Sequence, residues 1–492
     1  KSKPTTNTKF YKITMSHIVR YNKTKIIATM GPSTADVEVL KEIFIAGVDV
    51  CRVNFSHGNW DDHLSMIQKI RQVNEDLGTH VAILADLQGP KLRIGEVDGN
   101  KMLLENGASI TLTTKATISK DNTIHVKYPT LAHDVKAGER VLLDDGKLEL
   151  EFVEIIDDHS AKAKVINGGF LSSNKGFNLP SSKLSVDSLT EKDRKDLEFI
   201  MKHDFDWIAL SFVREADDIH NLRKILNEND CQSRIIAKVE KPQAVENIDE
   251  IISATNAIMV ARGDLGVEMP MEEVPMIQKR IVSKCIQASK PVIIATQMME
   301  SMITSPTPTR AEANDVANAV MDGADAVMLS AETSVGDYAL KSVQAVEKIL
   351  GSTELGWDIY NKIKKPNPAS PSFLSERICY ATVSMSQGIG AKAILSMTQT
   401  GYTAYKIASG RPNCDIFIFT ANKRLLSRLS LVWNVRAYYY DSKTNTDDTI
   451  KEVIKILVDD NLLKKGDVVI NTAAMPVLEN RKTNALKIST VE

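Results

Sequence analysis

The run Arg234-Ile-Ile-Ala-Lys-Val-Glu240 is apolar until it closes on two opposite charges one residue apart. Alternate residues of a strand share a face, so Lys238 and Glu240 point the same way. In the short apolar runs of a parallel α/β core, a lone ammonium beside a carboxylate is costly to bury unless it is paired or bound to something. The pair is therefore a site candidate, with a structural ion pair as the alternative. Other charged or hydroxyl residues close similar runs: Arg52 and Asn54, Asp86, Ser211, Arg262 and Asp264, Thr296 and Gln297, Ser330 and Glu332. Two carboxylates, Glu240 and Asp264, offer the oxygen ligands that Mg²⁺ prefers when a substrate phosphate completes its shell. The cations Arg52, Arg93 and Lys238 are the types that neutralise charge on a phosphoryl group in flight. The chain has neither Gly-x-x-x-x-Gly-Lys-Ser/Thr nor Gly-x-Gly-x-x-Gly, so no P-loop or dinucleotide fingerprint accounts for them. Together these residues point to phosphoryl transfer.

Such residues act together only if the fold brings the ends of the runs to one place. Eight runs read as strands: Lys25 to Thr29, Val48 to Asn54, Val81 to Asp86, Trp207 to Ser211, Ile235 to Glu240, Ala257 to Ala261, Val292 to Thr296 and Ala326 to Ser330. Amphipathic helical patterns separate them, including Asp61 to Val73, Asp193 to His203, Glu272 to Ser289 and Glu312 to Met321, the last opened by the capping box Thr309-Arg-Ala-Glu312. Eight alternating units predict a closed (β/α)₈ barrel with its site at the carboxyl ends of the strands, where the polar residues that close the runs fall. A single one could be a satisfied core group, but a ring of them is hard to explain as structure alone.

The spacing breaks once, between Asp86 and Asp206. There, short β-like runs are separated by the turn signals Asp98-Gly99, Asn106-Gly107, Asp145-Gly146 and Gly168-Gly169, the pattern of a small all-β module. Its hinges fall at Gly89-Pro90 and after Leu179-Pro180, and its position on the catalytic face suits a lid that excludes water. After a helix over Asp337 to Ile349 comes the Pro-rich stretch from Lys364 to Pro371, then strands at Ala393 to Met397, Ile416 to Thr420, Ala437 to Tyr440 and Val468 to Ile470, an open α/β sheet. The expected division is an N-terminal segment 1–22, a barrel 23–88 and 187–350, a lid 89–186 and a C-terminal domain 351–492.

Composition excludes other classes. A chain of 492 residues is too long for one core, and about three domains is the natural expectation. A net charge of −2 offers no basic field for nucleic acid or an anionic membrane. The five cysteines are scattered, with no Cys-x-x-Cys, which argues against a disulfide framework or a zinc site. No apolar run approaches a membrane span and the first residues lack a signal-peptide core, so a cytoplasmic protein is expected; because the sequence starts at Lys1, a leader upstream stays open.

The segment Ile235-Ile-Ala-Lys-Val-Glu-Lys-Pro-Gln-Ala-Val245 resembles the signature of pyruvate kinase. Arg52-Val-Asn-Phe-Ser-His-Gly58, Ala261-Arg-Gly-Asp-Leu-Gly266, Ala295-Thr-Gln-Met298 and Met328-Leu-Ser-Ala-Glu-Thr333 are similar to segments of that family in the same order, from about residue 23 onward. The resemblance implies phosphoryl transfer from phosphoenolpyruvate to ADP, giving pyruvate and ATP, by a homotetramer. It implies that Lys238 bridges the phosphoryl group and the enolate oxygen, that Glu240 and Asp264 hold Mg²⁺ or Mn²⁺, and that Arg52 takes the phosphate. Gly263, Asp264 and Thr296 would receive the carboxylate, and Asn54, Phe55, Ser56, His57, Arg93 and Lys175 the nucleotide. Protonation would pass through Thr296 and a relay with Ser330 and Glu332.

Most of that family needs K⁺, held by residues matching Asn54, Ser56, Asp86 and the Leu87 carbonyl, and carries an acidic residue where this chain has Lys91. The reversed sign implies that Lys91 replaces K⁺, and Leu87, Gln88 and Ile94 also resemble the K⁺-independent branch. The turn Thr398 to Thr403 keeps the hydroxyls that hold a phosphate of fructose 1,6-bisphosphate in some relatives. The stretch Asn471 to Arg481 lacks their Trp and Gly-rich loop, so a weak or absent response to that effector is expected. The rivals are another enolate-stabilising metal barrel, which leaves the lid and C-terminal domain unexplained, and a silent regulatory paralogue, which would be expected to have lost Lys238 or a metal ligand.

Overall fold

The computed structural model describes residues 21–182, 184–358, 360, 365–441, 445–474 and 482–492. The apolar runs become eight parallel strands: β1 Lys25–Thr29, β2 Val50–Asn54, β3 Ala82–Asp86, β4 Trp207–Leu210, β5 Arg234–Val239, β6 Ala257–Ala261, β7 Val292–Ala295 and β8 Ala326–Leu329. They close into a barrel when β1 pairs with β8, Lys25 opposite Ala326. Alternation sorts each strand between two cores. Ile27, Val50, Leu84, Trp207, Ile236, Met259, Ile293 and Met328 fill the barrel, whereas Ala28, Cys51, Ile83, Ile208, Ile235, Ile258, Ile294 and Val327 pack outward against the helices. Because both faces are buried, the strands read as near-continuous apolar runs.

The helices start where their caps dictate. Asn59 accepts from the Asp62 amide to open Trp60–Leu77, Thr190 caps Glu191–Lys202 with a capping box to Asp193, and the predicted Thr309–Glu312 box opens Arg310–Asp322.

Although the chain leaves the barrel after β3, β3 and β4 pair directly, with Leu84 opposite Trp207 and Asp86 opposite Ala209. The insertion builds its own core around Ile110, Leu112, Leu150, Phe152, Ala163 and Val165 under a six-stranded sheet. Arg140–Leu143 and Leu148–Asp157 form one hairpin of this sheet, turning through Gly146 at φ +84°. The C-terminal region is a five-stranded sheet in the order Val435–Tyr439, Asp415–Thr420, Ala393–Met397, Val468–Ala473 and Ala485–Thr490. The last strand is antiparallel and was not expected from the sequence; it is a half-exposed edge strand without an apolar run. Leu431 of this region joins the cluster inside the barrel, and Arg411, buried, ties it to the barrel through Asp325 and the Gly323 carbonyl. Residues 1–20, Lys364 at the start of the Pro-rich stretch, and 475–481 within the effector-loop expectation lie outside the described residues.

Candidate active site

The strand ends of β2, β3 and β5 deliver one continuous array of charge. Arg52 donates from Nε to Asp86 Oδ2 at 2.7 Å and from Nη1 to Thr29 Oγ1 at 2.9 Å. The other Asp86 oxygen takes Lys238 Nζ at 3.1 Å, and Lys238 also meets Glu240 Oε1 at 3.0 Å and Ser211 Oγ at 2.7 Å. Lys238 and Glu240 thus share a face, as the alternation requires. Glu240 is completed by the Phe212 amide at 2.8 Å, which Phe212 presents from a left-handed conformation at φ +54°.

Burial alone would neutralise such groups. It pulls the Lys238 ammonium down, but Asp86 and Glu240 outweigh it and hold Lys238 above its ordinary range. Burial pushes Asp86 up, and Lys238 and Arg52 more than reverse it. At Glu240 burial dominates and raises the carboxyl, opposed by Lys238 and reinforced by the charge of Asp264. The result is a buried lysine kept charged between two carboxylates at the mouth of a barrel.

A second group forms where β6 and β7 end. Gly263 N donates to Thr296 Oγ1 at 2.7 Å, and Thr296 Oγ1 donates to the Ala295 carbonyl at 2.5 Å. Thr296 has φ +72° and Gln297 φ +55°, uncommon for any side chain and strained for a β-branched one by about 1–3 kcal/mol. Arg262 holds the strained turn, reaching the Thr296 carbonyl at 2.8 Å while paired with Asp315. Glu332 is buried, with its two oxygens on the amides of Met299 (3.1 Å) and Ser330 (2.6 Å), so it braces Ser330 and the turn after Thr296.

The nucleotide candidates divide. Asn54 Oδ1 accepts from the Ser56 amide at 3.1 Å, and Ser56 and His57 are exposed. The Phe55 ring is buried against His63, Phe199 and Phe205, so only its backbone faces this loop; Lys192 holds its carbonyl at 2.5 Å. Arg93 and Lys175 sit together at the base of the lid, where Ile94 N bonds the Lys175 carbonyl. Arg93 donates to the Asn174 carbonyl, and Lys175 pairs with Asp144 at 2.8 Å, which raises the lysine and lowers the acid.

In the monovalent-cation region, Phe55 N bonds the Asp86 carbonyl, and the Leu87 carbonyl accepts from Ser211 Oγ at 2.7 Å. Lys91 reaches Asp264 Oδ1 at 3.2 Å rather than Asp86, each partner about a third exposed. The sequence did not disclose that contact, the double use of Asp86 by Arg52 and Lys238, or the brace at Arg262. The only local hint was that Arg262 also ends a barrel strand.

Among the described residues no group of three or more His, Cys, Asp or Glu could enclose a metal, which leaves the carboxylate pair Glu240 and Asp264. Glu240 is buried with its oxygens on Lys238 and the Phe212 amide, and Asp264 meets Lys91, while the charge of Asp264 acts on Glu240; two hard oxygen donors this near to each other fit Mg²⁺, which takes water and substrate oxygens for the rest of its shell.

Comparison with known proteins gives a consistent result. Residues 21–343 match the family described as pyruvate kinase, barrel domain, and residues 376–489 match pyruvate kinase, alpha/beta domain. The pyruvate kinase of Sporosarcina psychrophila is 40% identical over 471 residues, covering 95% of this chain and 80% of that one. The pyruvate kinase of Mycobacterium tuberculosis is 38% identical over 464 residues, covering 94% and 97%. A crystal structure of a pyruvate kinase from Cryptosporidium parvum superposes with a TM-score of 0.90 at 35% identity, covering 96% of each chain.

Proposed function

Since the chain belongs to the pyruvate kinase family and is thereby a phosphotransferase, we propose that its barrel mouth moves the phosphoryl group of phosphoenolpyruvate to ADP, giving pyruvate and ATP, with Mg²⁺ or Mn²⁺ and without K⁺. The observation that carries the reading is the charged, buried Lys238 between Asp86 and Glu240. Its ammonium is already satisfied before substrate arrives, so its stabilisation grows most when negative charge develops on the phosphoryl oxygens and the enolate oxygen. Arg52, with its guanidinium fixed by Asp86 and Thr29, takes the phosphate. The Gly263 amide and the Thr296 hydroxyl, which bond Thr296 Oγ1 and the Ala295 carbonyl in the free protein, exchange those bonds to receive the carboxylate together with the Asp264 backbone.

Glu240 and Asp264 hold the divalent ion, which when bound supplies positive charge to the substrate oxygens. The proton reaches the methylene carbon through Thr296, resupplied by a water relay that involves Ser330 and Glu332, whose carboxylate fixes the Ser330 amide. Lys91 pairs with Asp264 and substitutes for the charge of K⁺. Asn54, the Phe55 backbone, Ser56, His57, Arg93 and Lys175 meet the nucleotide as the lid closes. The assembly is a cytoplasmic homotetramer; in support of the compartment, all five cysteines are free thiols. Among the described residues no helix is long and apolar enough to cross a membrane.

The test is a coupled assay for pyruvate from phosphoenolpyruvate and ADP with tetramethylammonium as the sole monovalent cation. Activity is expected with Mg²⁺ and none after chelation. Absence of pyruvate under both K⁺ and tetramethylammonium overturns the reading, and a rate restored only by K⁺ overturns the cation part.

A further inference from the structure

The short helix Arg262–Glu268 carries two carboxylates four residues apart, which places Asp264 and Glu268 on one face. Each grips a different side of the lid's neck. Asp264 pairs with Lys91 on the outgoing segment at 3.2 Å. Glu268 Oε1 accepts from Asn178 Nδ2 on the returning strand at 2.7 Å, and the same oxygen pairs with Lys241, the residue after Glu240. Glu268 and Lys241 are 5% and 7% exposed, so the clasp is shielded from water and held against its own desolvation by this pairing. Glu268 Oε2 is buried with no hydrogen-bond partner among the described residues. A buried carboxylate oxygen without a donor is costly, so Glu268 depends on the two contacts at Oε1.

The remaining neck contacts are anchors on other elements. Asp193 Oδ1 holds the Gly89 amide at 3.2 Å, and Arg214 holds the carbonyls of Leu184 and Val186 at 2.6 Å each. Gly89 has φ +67°, and a Cβ there would lie 2.7 Å from Phe212 Cδ2 and 2.8 Å from Ser211 Cβ, so only glycine permits this close approach. The neck is thus anchored at Gly89 and at Leu184 and Val186. Among the described residues, Lys91 and Asn178 also tie it to the helix that bears Asp264 and, through Glu268, to the residue beside Glu240.

We infer that Glu268 is a positioning residue: through Asn178 and Lys241 it couples the pose of the lid to the two elements that carry Glu240 and Asp264, so that ligands arriving there close the lid over the nucleotide. The inference rests on the metal and nucleotide assignments above. Lid closure is transmitted by the helix as a rigid unit, and Asn178 is the transmitting contact.

Hydrogen exchange of the full chain, with and without Mn²⁺ plus phosphoenolpyruvate, reads the coupling at residues 89–94 and 177–182. In the wild type the ligands are expected to slow exchange there about threefold or more. In Asn178→Ala that slowing disappears and the KM for ADP rises about tenfold, while the KM for phosphoenolpyruvate and the Mn²⁺ affinity without substrate stay within about twofold. Glu268→Gln is expected to lose the slowing as well; if leaving Lys241 unpaired prevents its folding, Asn178→Ala carries the test alone. Neck slowing and an ADP KM at wild-type values in Asn178→Ala overturn the inference, as does a wild type that makes pyruvate but shows no slowing. A wild type that makes no pyruvate refutes the functional reading instead.

Discussion

Replacing Lys238 with Met removes the ammonium while keeping most of the side-chain volume. Three contacts disappear, to Asp86 at 3.1 Å, Glu240 at 3.0 Å and Ser211 at 2.7 Å. Neither carboxylate is orphaned. Asp86 keeps Arg52 at 2.7 Å and Glu240 keeps the Phe212 amide at 2.8 Å. The stability cost is therefore nearer the about 1–3 kcal/mol of an imperfectly satisfied buried group than the about 3–5 kcal/mol of a fully broken buried pair. Catalysis should suffer more. A single charge-stabilising group aimed at a phosphoryl transition state contributes about 10³–10⁵ in rate, or about 4–7 kcal/mol. Arg52 remains fixed by Asp86 and Thr29, so phosphoenolpyruvate binding should weaken by about tenfold or less. The assays are coupled pyruvate formation for turnover, calorimetric titration for substrate binding and urea unfolding for stability. A variant turning over within tenfold of wild type, or one that loses substrate binding as steeply as turnover, would refute the transition-state role.

Glu240→Gln removes one of two anionic oxygen donors, and we expect Mn²⁺ binding, followed by titration without substrate, to weaken by about tenfold or more together with activity; wild-type affinity would remove Glu240 from the ligand set. Lys91→Glu sets a carboxylate against Asp264 where an ammonium now lies 3.2 Å away, and a gain of K⁺ dependence is expected, read as the ratio of rates in KCl and tetramethylammonium chloride. An unchanged ratio would leave Lys91 a plain hinge lysine. Arg411→Met breaks a buried pair with Asp325 between barrel and C-terminal sheet, where Arg411 is 1% exposed, and should lower stability by about 3–5 kcal/mol in urea unfolding while kcat stays near wild type; a loss below about 1 kcal/mol would contradict it.

Features with a local period could be read from the chain. Eight apolar runs bounded by polar residues specify buried parallel strands, because both faces of each strand are covered. The strand ends then follow from where the runs stop, which is how Arg52, Asp86, Lys238, Glu240, Asp264 and Thr296 could be assigned to one rim. The inserted β module was legible as a break in the β/α rhythm filled with turn signals. The strand Ala485–Thr490 was not, since a half-exposed edge strand is stabilised by its pairing with Val468–Ala473 rather than by its own composition.

The pairing of charges was likewise out of reach. Lys238 meets Asp86 across 152 residues of chain, Lys91 meets Asp264 across 173, and Asn178 meets Glu268 across 90. Sequence types show that these residues are cations, carboxylates and an amide at strand ends and hinges. Which cation answers which carboxylate depends on rotamers and on a few tenths of an ångström between elements that close on one another only when the barrel does. Phe55 shows the same division. Its place in the loop after β2 was readable, but its ring turns into the aromatic cluster with His63, Phe199 and Phe205 because burial there removes apolar surface from water, and Phe199 and Phe205 come from a segment distant in the chain.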